Sequence, residues 1–106
     1  MPFTGNEDHT ISLEDAAEMT ERYRVSAGAA AFLGGYFSKK ALNKILGQSS
    51  CVGIRIYNGT NETGDRNFVL VGVKADGEDM TGGELAEYAT GCPPFCPVSS
   101  ELTGTA

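Results

Sequence analysis

Two apolar, β-branched runs constrain this chain more than any other feature of its sequence. Residues 51–57 read CVGIRIY and residues 67–74 read NFVLVGVK. In both runs valine or isoleucine recurs at every second position, which is the period of a β-strand. β-Branched side chains also suit a pleated surface. The intervening residues 58–66, NGTNETGDR, have the composition of a loop. The sequence therefore predicts an antiparallel hairpin with a long polar tip.

The β-branched faces of the two runs predict how the strands pair. Each run has one such face, formed by Val52, Ile54 and Ile56 in the first run and by Val69, Val71 and Val73 in the second. A slip of one residue would move a whole face to the other side of the sheet. Placing the two faces on the same side sets Ile54 opposite Val71 and Gly53 opposite Gly72. Registers shifted by two residues in either direction stay open.

The paired glycines of this register predict a patch of bare backbone on the second face. Glycine inside a strand often marks the close approach of another backbone, a ring or a ligand. Two interpretations stay open, a tightly packed helix and a ligand groove. The groove would be lined by Gly53, Arg55, Tyr57, Phe68 and Gly72. Arg55 needs a partner, because a charge on a core strand is costly unless it is paired. Three partners for Arg55 stay open: an acidic side chain of the first helix, water at an open sheet edge, or an anionic ligand.

Capping signals predict two helices before the hairpin. The first begins after Ser12, whose hydroxyl can bond the amides of the first turn, and ends near residues 25–27 with Gly28 as its stop. The second follows Ser38, carries the apolar residues Leu42, Ile45 and Leu46, and ends at Gly47. Residues 29–37 are predicted to form a buried connection that contributes a short strand.

Turn and helix signals also follow the hairpin. Asp76-Gly77 predicts a turn, followed by a brief third strand at residues 79–80. Thr81 and Glu84 match a capping box for a short helix over residues 84–89. Pro93-Pro94 excludes further helix.

These elements predict one α+β domain, with two N-terminal helices packed on a two- or three-stranded antiparallel sheet and a short C-terminal helix. Residues 1–10 are predicted to form a polar arm, residues 11–96 the globular core and residues 97–106 a tail. An ordered tail would require a contact that holds it in place. A two-stranded sheet is marginal in water. We therefore expect a second copy of the chain to cover the other sheet face or the open strand edge, which makes the protein a homodimer.

The cysteines carry the most specific local motif, Cys92-Pro-Pro-Phe-Cys96. Cysteines four residues apart on a proline-stiffened turn can bind a soft metal, form a disulfide or stay as a buried reduced pair. Adding Cys51 and His9 would complete the four ligands of a structural zinc site. By itself, Cys51 at the start of a core strand is typical of a small buried apolar group.

Composition limits the partners and the location. The formal net charge is −6 and the isoelectric point is about 4.6, which argues against nucleic acid because phosphate binding requires clustered Lys and Arg. No apolar run reaches the roughly 20 residues of a membrane span, and residues 1–10 do not resemble a secretory signal. The odd number of cysteines fits poorly with a secreted disulfide framework, so the chain is predicted to be cytoplasmic.

Several of these segments together resemble a family of small uncharacterised bacterial proteins. The resemblance covers about residues 11–97 and is carried by the SLEDAA start of the first helix, the CVGIRIY strand, the LVGV strand, Asp76-Gly77 and the CPPFC motif. It implies a bacterial source, and it implies no activity, cofactor or ligand.

Catalytic signatures are weak in this sequence. His9 is the single histidine, so any Ser-His or Cys-His pair would depend on a residue of the polar arm. The Gly-Gly pairs lack the lysine and spacing of a phosphate-binding loop. No cofactor is predicted. The sequence favours a non-enzymatic binding or self-association module, and the alternative is a thiol- or metal-dependent protein that uses Cys92 and Cys96.

Overall fold

The computed structural model describes residues 2–28, 31–87 and 90–106 of the chain. Its elements are, in order, α1 (Leu13–Ala27), β1 (Gly34–Tyr36), α2 (Lys39–Leu46), β2 (Cys51–Thr60), β3 (Arg66–Lys74), β4 (Leu85–Glu87) and β5 (Thr90–Cys92). They belong to two compact units. The first unit comprises Met1–Glu7 and Gly35–Ala89, and the second comprises Asp8–Gly34 and Thr90–Ala106.

The first unit contains α2 and an antiparallel three-stranded sheet in the order β2-β3-β4. Helix α2 packs on β2 and β3. The predicted α+β class and the central hairpin are confirmed. Both strands are longer at the hairpin tip than predicted, so that only residues 61–65 form the turn. The Asn61 carboxamide closes this turn by accepting hydrogen bonds from the amides of Thr63 and Asp65.

The strand register differs from the prediction by one residue. Ile54 lies opposite Gly72 and Gly53 lies opposite Val73, with a bulge between Cys51 and Gly53. The prediction that Gly53 meets Gly72 is therefore wrong. It was based on pairing the β-branched faces of the two strands, whereas β3 is buried on both faces from Leu70 to Val73. When both faces of a strand are buried, the alternation of apolar and polar residues along it does not specify the register.

The two glycines consequently lie on opposite faces in different surroundings. A Cβ atom on Gly72 would lie 2.9 Å from Gln48 Nε2, 3.0 Å from Cys51 Sγ and 3.2 Å from Met80 Sδ. Gln48 cannot move away freely, because its side chain donates to the Ile45 carbonyl and accepts from the Glu84 amide. A Cβ atom on Gly53 would meet nothing within 4 Å. Gly72 is thus the site of close packing.

The second helix forms as predicted. Ser38 Oγ accepts a hydrogen bond from the Ala41 amide at 3.1 Å, and the helix ends at Gly47. Ile45 is 1 % exposed, so this residue anchors α2 to the sheet. Leu46, which the sequence assigns to the same apolar face, remains exposed.

The predicted C-terminal helix is wrong. Leu85–Glu87 forms β4, which pairs antiparallel with Val69, Leu70 and Val71 of β3. Local capping signals predicted a helix here, but the free edge of β3 offers backbone partners that override local propensity. The amide of Glu84, which a capping box would use, is bonded to Gln48 Oε1 at 2.8 Å. The last two residues of the predicted helix, 88 and 89, lie outside the described residues.

The predicted Asp-Gly turn is confirmed. Gly77 has φ = 91° and its amide donates to the Lys74 carbonyl. The chain then returns beside β3, where Asp79 forms an isolated bridge with Val73 and the Met80 amide donates to the Gly72 carbonyl. The brief third strand predicted at residues 79–80 is therefore reduced to one bridge.

The second unit contains α1. Ser12 Oγ accepts from the Asp15 amide at 3.0 Å, and Gly28 ends the helix with φ = 91°, as predicted. None of the residues of α1 is fully buried. Because α1 and the three-stranded sheet belong to different units, the prediction that both helices pack on the sheet stays unconfirmed. The short strand predicted within residues 29–37 is β1, which pairs with β5.

The tail of the second unit is ordered by its own chain. Residues 100–105 form hydrogen-bonded turns, in which the Thr105 amide donates to the Ser100 carbonyl and the Ser100 amide to Thr105 Oγ1. Arg24 of α1 donates to the Leu102 carbonyl at 2.9 Å. Helix α1 thus supplies the contact that holds the tail. Within the described ranges, the structure contains no helix of the length and apolarity that a bilayer crossing requires.

The two glycines of the hairpin provide a test of the register. We expect Gly72→Ala to lower the free energy of unfolding by about 1–3 kcal/mol, because it overpacks a filled site. Gly53→Ala, the matched control, should leave stability unchanged or raise it by up to about 1 kcal/mol, since it restricts the unfolded chain without a clash. Urea denaturation followed by circular dichroism measures both values. Equal losses in the two variants would contradict the register.

Candidate functional site

A polar cluster formed by Arg55, Tyr57 and Asp79 lies on one face of the sheet. Arg55 Nη1 donates to Asp79 Oδ1 at 2.5 Å and to the Gly77 carbonyl at 3.2 Å. Tyr57 Oη donates to Asp79 Oδ2 at 2.5 Å. Each carboxylate oxygen of Asp79 therefore accepts one hydrogen bond from the cluster. The side chains of Arg55 and Asp79 keep 33 % and 21 % of their area exposed, so the ion pair is shielded only in part.

The position of this cluster follows from the strand pairing. Arg55 lies opposite Val71, and Asp79 bridges to Val73 on the other side of β3. Residues directly opposite each other in a sheet point to the same face. The ion pair therefore crosses the face of β3 that carries Val71 and Val73, which are 2 % and 5 % exposed.

The protonation states of the cluster are coupled through its hydrogen bonds. The bond from Tyr57 holds the pKa of Asp79 below its ordinary value. Partial burial opposes this effect and the bond from Arg55 adds to it. The same contact with Asp79 raises the pKa of Tyr57, because an ionised phenolate could not donate to the carboxylate. The hydrogen bond to Asp79 likewise raises the pKa of Arg55. All three shifts favour the neutral phenol and the charged ion pair.

The N-terminal arm adds an aromatic ring to the cluster. The Phe3 amide donates to the Ala75 carbonyl at 3.0 Å, and the centroid of its ring lies 5.8 Å from Arg55 Cζ, within the range of a cation–π contact. A Cβ atom on Gly77 would lie 3.5 Å from the Phe3 ring. The beginning of the predicted polar arm thus packs on the Asp-Gly turn.

The outer edge of β2 lies next to this cluster. The sheet order makes β2 an edge strand of ten residues. In an antiparallel pair, alternate residues direct their backbone amides and carbonyls away from the partner strand. Ile56 is 60 % exposed and Tyr57 is 46 % exposed on this strand. The edge thus combines available backbone groups with exposed apolar surface.

The structure divides the residues predicted to line a ligand groove between the two faces. Gly53, Arg55 and Tyr57 share the face of Val71 and Val73, whereas Phe68 and Gly72 lie on the other face. The five residues therefore do not form one groove. The three that remain together include Arg55, whose predicted need for a partner is met by Asp79.

The three cysteines are divided between the two units. Cys92 and Cys96 form a disulfide in the second unit, which selects one of the three alternatives left open by the sequence. Cys51, in the first unit, has a free thiol that donates to the Gly53 carbonyl at 3.2 Å. His9 is exposed. Within residues 2–28, 31–87 and 90–106, no group of three or more His, Cys, Asp or Glu side chains could hold a metal ion.

A cleft of 260 Å³ lies between α2 and β4 in the first unit. Ile45 and Leu85 contribute apolar surface, and Lys44 Nζ lies 3.7 Å from Glu84 Oε1 on the lining. Pockets for small molecules commonly measure about 300–1,000 Å³ and enclose most of the ligand. This cleft is smaller and contains none of the residues that the sequence predicted for a site.

Comparisons with known proteins identify no relative: no protein-family model, no curated protein and no solved structure matches the chain. The resemblance to small uncharacterised bacterial proteins therefore stays a prediction.

Sequence reasoning missed Asp79 and Phe3 as members of the cluster. Asp79 could have been found from the predicted turn, because a segment that returns beside β3 after Gly77 brings Asp79 level with Val73. Phe3 had only the signal of a single aromatic residue in a polar arm, which does not indicate where the ring will pack.

The lowered pKa of Asp79 predicts how stability depends on pH. Its contribution is fully present above the unfolded pKa of about 3.9 and is lost as the pH falls through the lower folded value. We expect Asp79→Asn to be less stable than the natural chain at pH 7, and we expect this difference to shrink below about pH 4. Urea midpoints measured from pH 7 to pH 2 test this expectation.

The control for this experiment is Glu62→Gln, which neutralises an exposed carboxylate in the hairpin turn. Its urea midpoints should follow those of the natural chain at every pH. A destabilisation by Asp79→Asn that stays constant down to pH 2 would contradict the role given to the ionised carboxylate.

Proposed function

We propose that this protein is a non-enzymatic interaction module that assembles as a homodimer through the outer edge of β2. The single observation that carries the proposal is the exposure of Ile56 on a ten-residue edge strand. An edge strand presents unpaired backbone groups that readily accept another strand. Two copies joined in this way would form one six-stranded sheet from two sheets of three strands.

The composition of β2 supports this use of its edge. Monomeric proteins protect edge strands with lysine, proline, short length or charges. The sequence of β2, CVGIRIYNGT, contains neither lysine nor proline, and its one charged residue is Arg55. Since the guanidinium of Arg55 is bonded to Asp79, little charge is left to repel a second strand. The negative net charge of the chain resides on other segments.

The internal bonding of the polar cluster supports a binding role over a catalytic one. A general base works best when its pKa lies near the working pH. The hydrogen bonds from Tyr57 and Arg55 hold the pKa of Asp79 below its ordinary value, which makes this carboxylate a weak base at neutral pH, and the Arg55 group that donates to Asp79 also bonds the Gly77 carbonyl. The cluster therefore serves to position β2. A net charge of −6 further favours protein over nucleic acid as the partner.

Ile56→Lys tests the dimer. A lysine on the edge would place like charges close together in the paired strands, so we expect the variant to be monomeric at concentrations at which the natural chain is a dimer. Light scattering coupled to size-exclusion chromatography measures the mass. Leu85→Lys is the matched control, because Leu85 is comparably exposed on the opposite edge strand, β4. A monomeric natural chain, or dissociation caused only by Leu85→Lys, would refute the proposal.

A second candidate function uses the Cys92–Cys96 disulfide as a redox couple. Both cysteines are only half-buried and Phe95 between them is 70 % exposed, so a small thiol could reach the bond. Disulfides persist mainly in oxidising compartments, and this bond is therefore an argument against the predicted cytoplasmic location. Metal binding, the other part of the alternative, has no supporting observation among the described residues.

Equilibration with glutathione buffers tests the redox function. A protein that exchanges thiols should show a potential in the range of about −120 to −270 mV, whereas a structural disulfide lies below about −300 mV. The fraction of reduced protein is measured by alkylation and mass spectrometry, with Cys51 as an internal free thiol. A potential below about −300 mV would place the bond among structural disulfides, exclude this candidate and leave the interaction module.

A further inference from the structure

The cleft between helix α2 and strand β4 lies at the edge of the sheet opposite β2. We propose that this cleft binds a short extended segment of a partner protein that carries carboxylate side chains, and that the segment pairs as a strand with the outer edge of β4. Because β2 and β4 are opposite edges of the sheet, a chain that does not dimerise through β2 could still bind such a segment.

Hydrogen bonds on the side of β3 remote from β2 identify the backbone groups that point to that side. The Met80 amide donates to the Gly72 carbonyl at 2.8 Å, and the Lys74 amide donates to the Glu78 carbonyl at 3.0 Å. Gly72 and Lys74 therefore direct their backbone groups to the side on which β4 also lies. Because this direction alternates along a strand, Leu70 directs its backbone groups there as well.

Strand β4 consequently has an outer edge with outward-directed backbone groups. Leu70 lies opposite Ala86, so these two residues bond to each other, and Leu85 and Glu87 direct their amides and carbonyls away from β3. These four groups can pair with an added strand, which is the mode of recognition called β-augmentation. An edge of three residues admits only a short segment.

The cleft beside this edge supplies apolar surface for side chains of the segment. Leu85 and Ala86 of β4 line it together with Ala41 and Ile45 of α2. Leu85 is 51 % exposed, whereas Ile45 is buried in the core. The volume of 260 Å³ is too small to enclose a drug-sized molecule. An added strand needs less room, because only alternate side chains point to one face.

The charges along the cleft select the chemistry of the segment. Helix α2 has the sequence KKALNKIL, with three lysines and no acidic residue. Lys40 and Lys44 line the cleft, and Glu84 is the one acidic residue of its lining. Two ammonium groups and one carboxylate leave this surface positive on a chain whose net charge is −6. The cleft therefore attracts an acidic segment, which the chain as a whole repels.

The two lysines differ in how readily they can contact a carboxylate of the segment. Lys44 Nζ lies 3.7 Å from Glu84 Oε1, and both side chains are largely exposed, so this ion pair is weak. Lys40 is exposed and forms no salt bridge with any residue that the structure describes. Lys40 is thus the principal contact for a carboxylate, and Lys44 can be shared between Glu84 and the segment.

Synthetic peptides test the proposal. The probe is a fluorescein-labelled peptide of four Val-Glu repeats. The controls are four Val-Lys repeats and a Val-Glu peptide that is N-methylated at every residue. We expect fluorescence anisotropy to show saturable binding of the probe and at least about tenfold weaker binding of each control, because one reverses the charge and the other cannot donate to a strand. No binding of the probe up to about 1 mM, or equal binding of either control, would overturn the proposal.

Two charge-reversed variants locate the binding site. Lys39→Glu and Lys40→Glu change the net charge equally at neighbouring exposed positions, but only Lys40 lines the cleft. At physiological ionic strength, charges farther apart than about 8 Å are largely screened. We expect Lys40→Glu to weaken binding of the probe at least about fivefold and Lys39→Glu less than about twofold. Equal losses in the two variants would contradict the site.

Hydrogen exchange of backbone amides, followed by nuclear magnetic resonance, distinguishes strand pairing from adsorption to the lysines. The probe should slow exchange at Leu85 and Glu87 and leave Ile56, on β2, unchanged. Protection at Ile56 alone would place the segment on the other edge and overturn the proposal. Dissociation of the dimer by Lys40→Glu in light scattering would identify a second copy as the occupant and overturn it as well. A monomeric natural chain in which the probe protects Leu85 and Glu87 would refute only the homodimer.

Discussion

The Arg55–Asp79 ion pair is the interaction on which the first unit depends, because it joins segments that β3 separates. Arg55 lies on β2 and Asp79 lies on the segment that returns along the other side of β3. The pair therefore crosses the face of β3 that carries Val71 and Val73, both of which are buried. Phe3 packs against the same guanidinium. A single charge thus organises a strand, a turn and the N-terminal arm around two buried valines.

This use of Arg55 has a consequence for the strand edge. A charged residue on an edge strand normally discourages pairing with other chains. Here the charge is directed across the sheet towards Asp79, and Tyr57 is held to the same carboxylate. The outer edge of β2 is left with Ile56 as its prominent exposed apolar group. The contact that stabilises one face of the sheet therefore also leaves the neighbouring edge able to accept a second strand.

The features predicted correctly from sequence are those that local chemistry determines. Ser12 and Ser38 cap their helices, and Gly77 forms the turn, because each effect involves residues within about four positions in the chain. The register and β4 depend on contacts between distant segments. The valine face of β3 indicated the wrong register because Leu70 and Gly72 on its other face are buried as well. The capping signal of Thr81 was overridden by the free edge of β3.

The candidate site was predicted in part, and the error has the same origin. Arg55 was correctly expected to require a partner, but Gly53 and Gly72 were assigned to one patch through the wrong register. Gly72 is in fact the position where Gln48 and Cys51 pack closely, while Gly53 lies on the face of the polar cluster. From the sequence we expected a second copy of the chain on a bare sheet face or on an open strand edge. Because Phe3 and the Arg55–Asp79 pair cover part of that face from within the chain, the proposed self-association relies on the edge of β2.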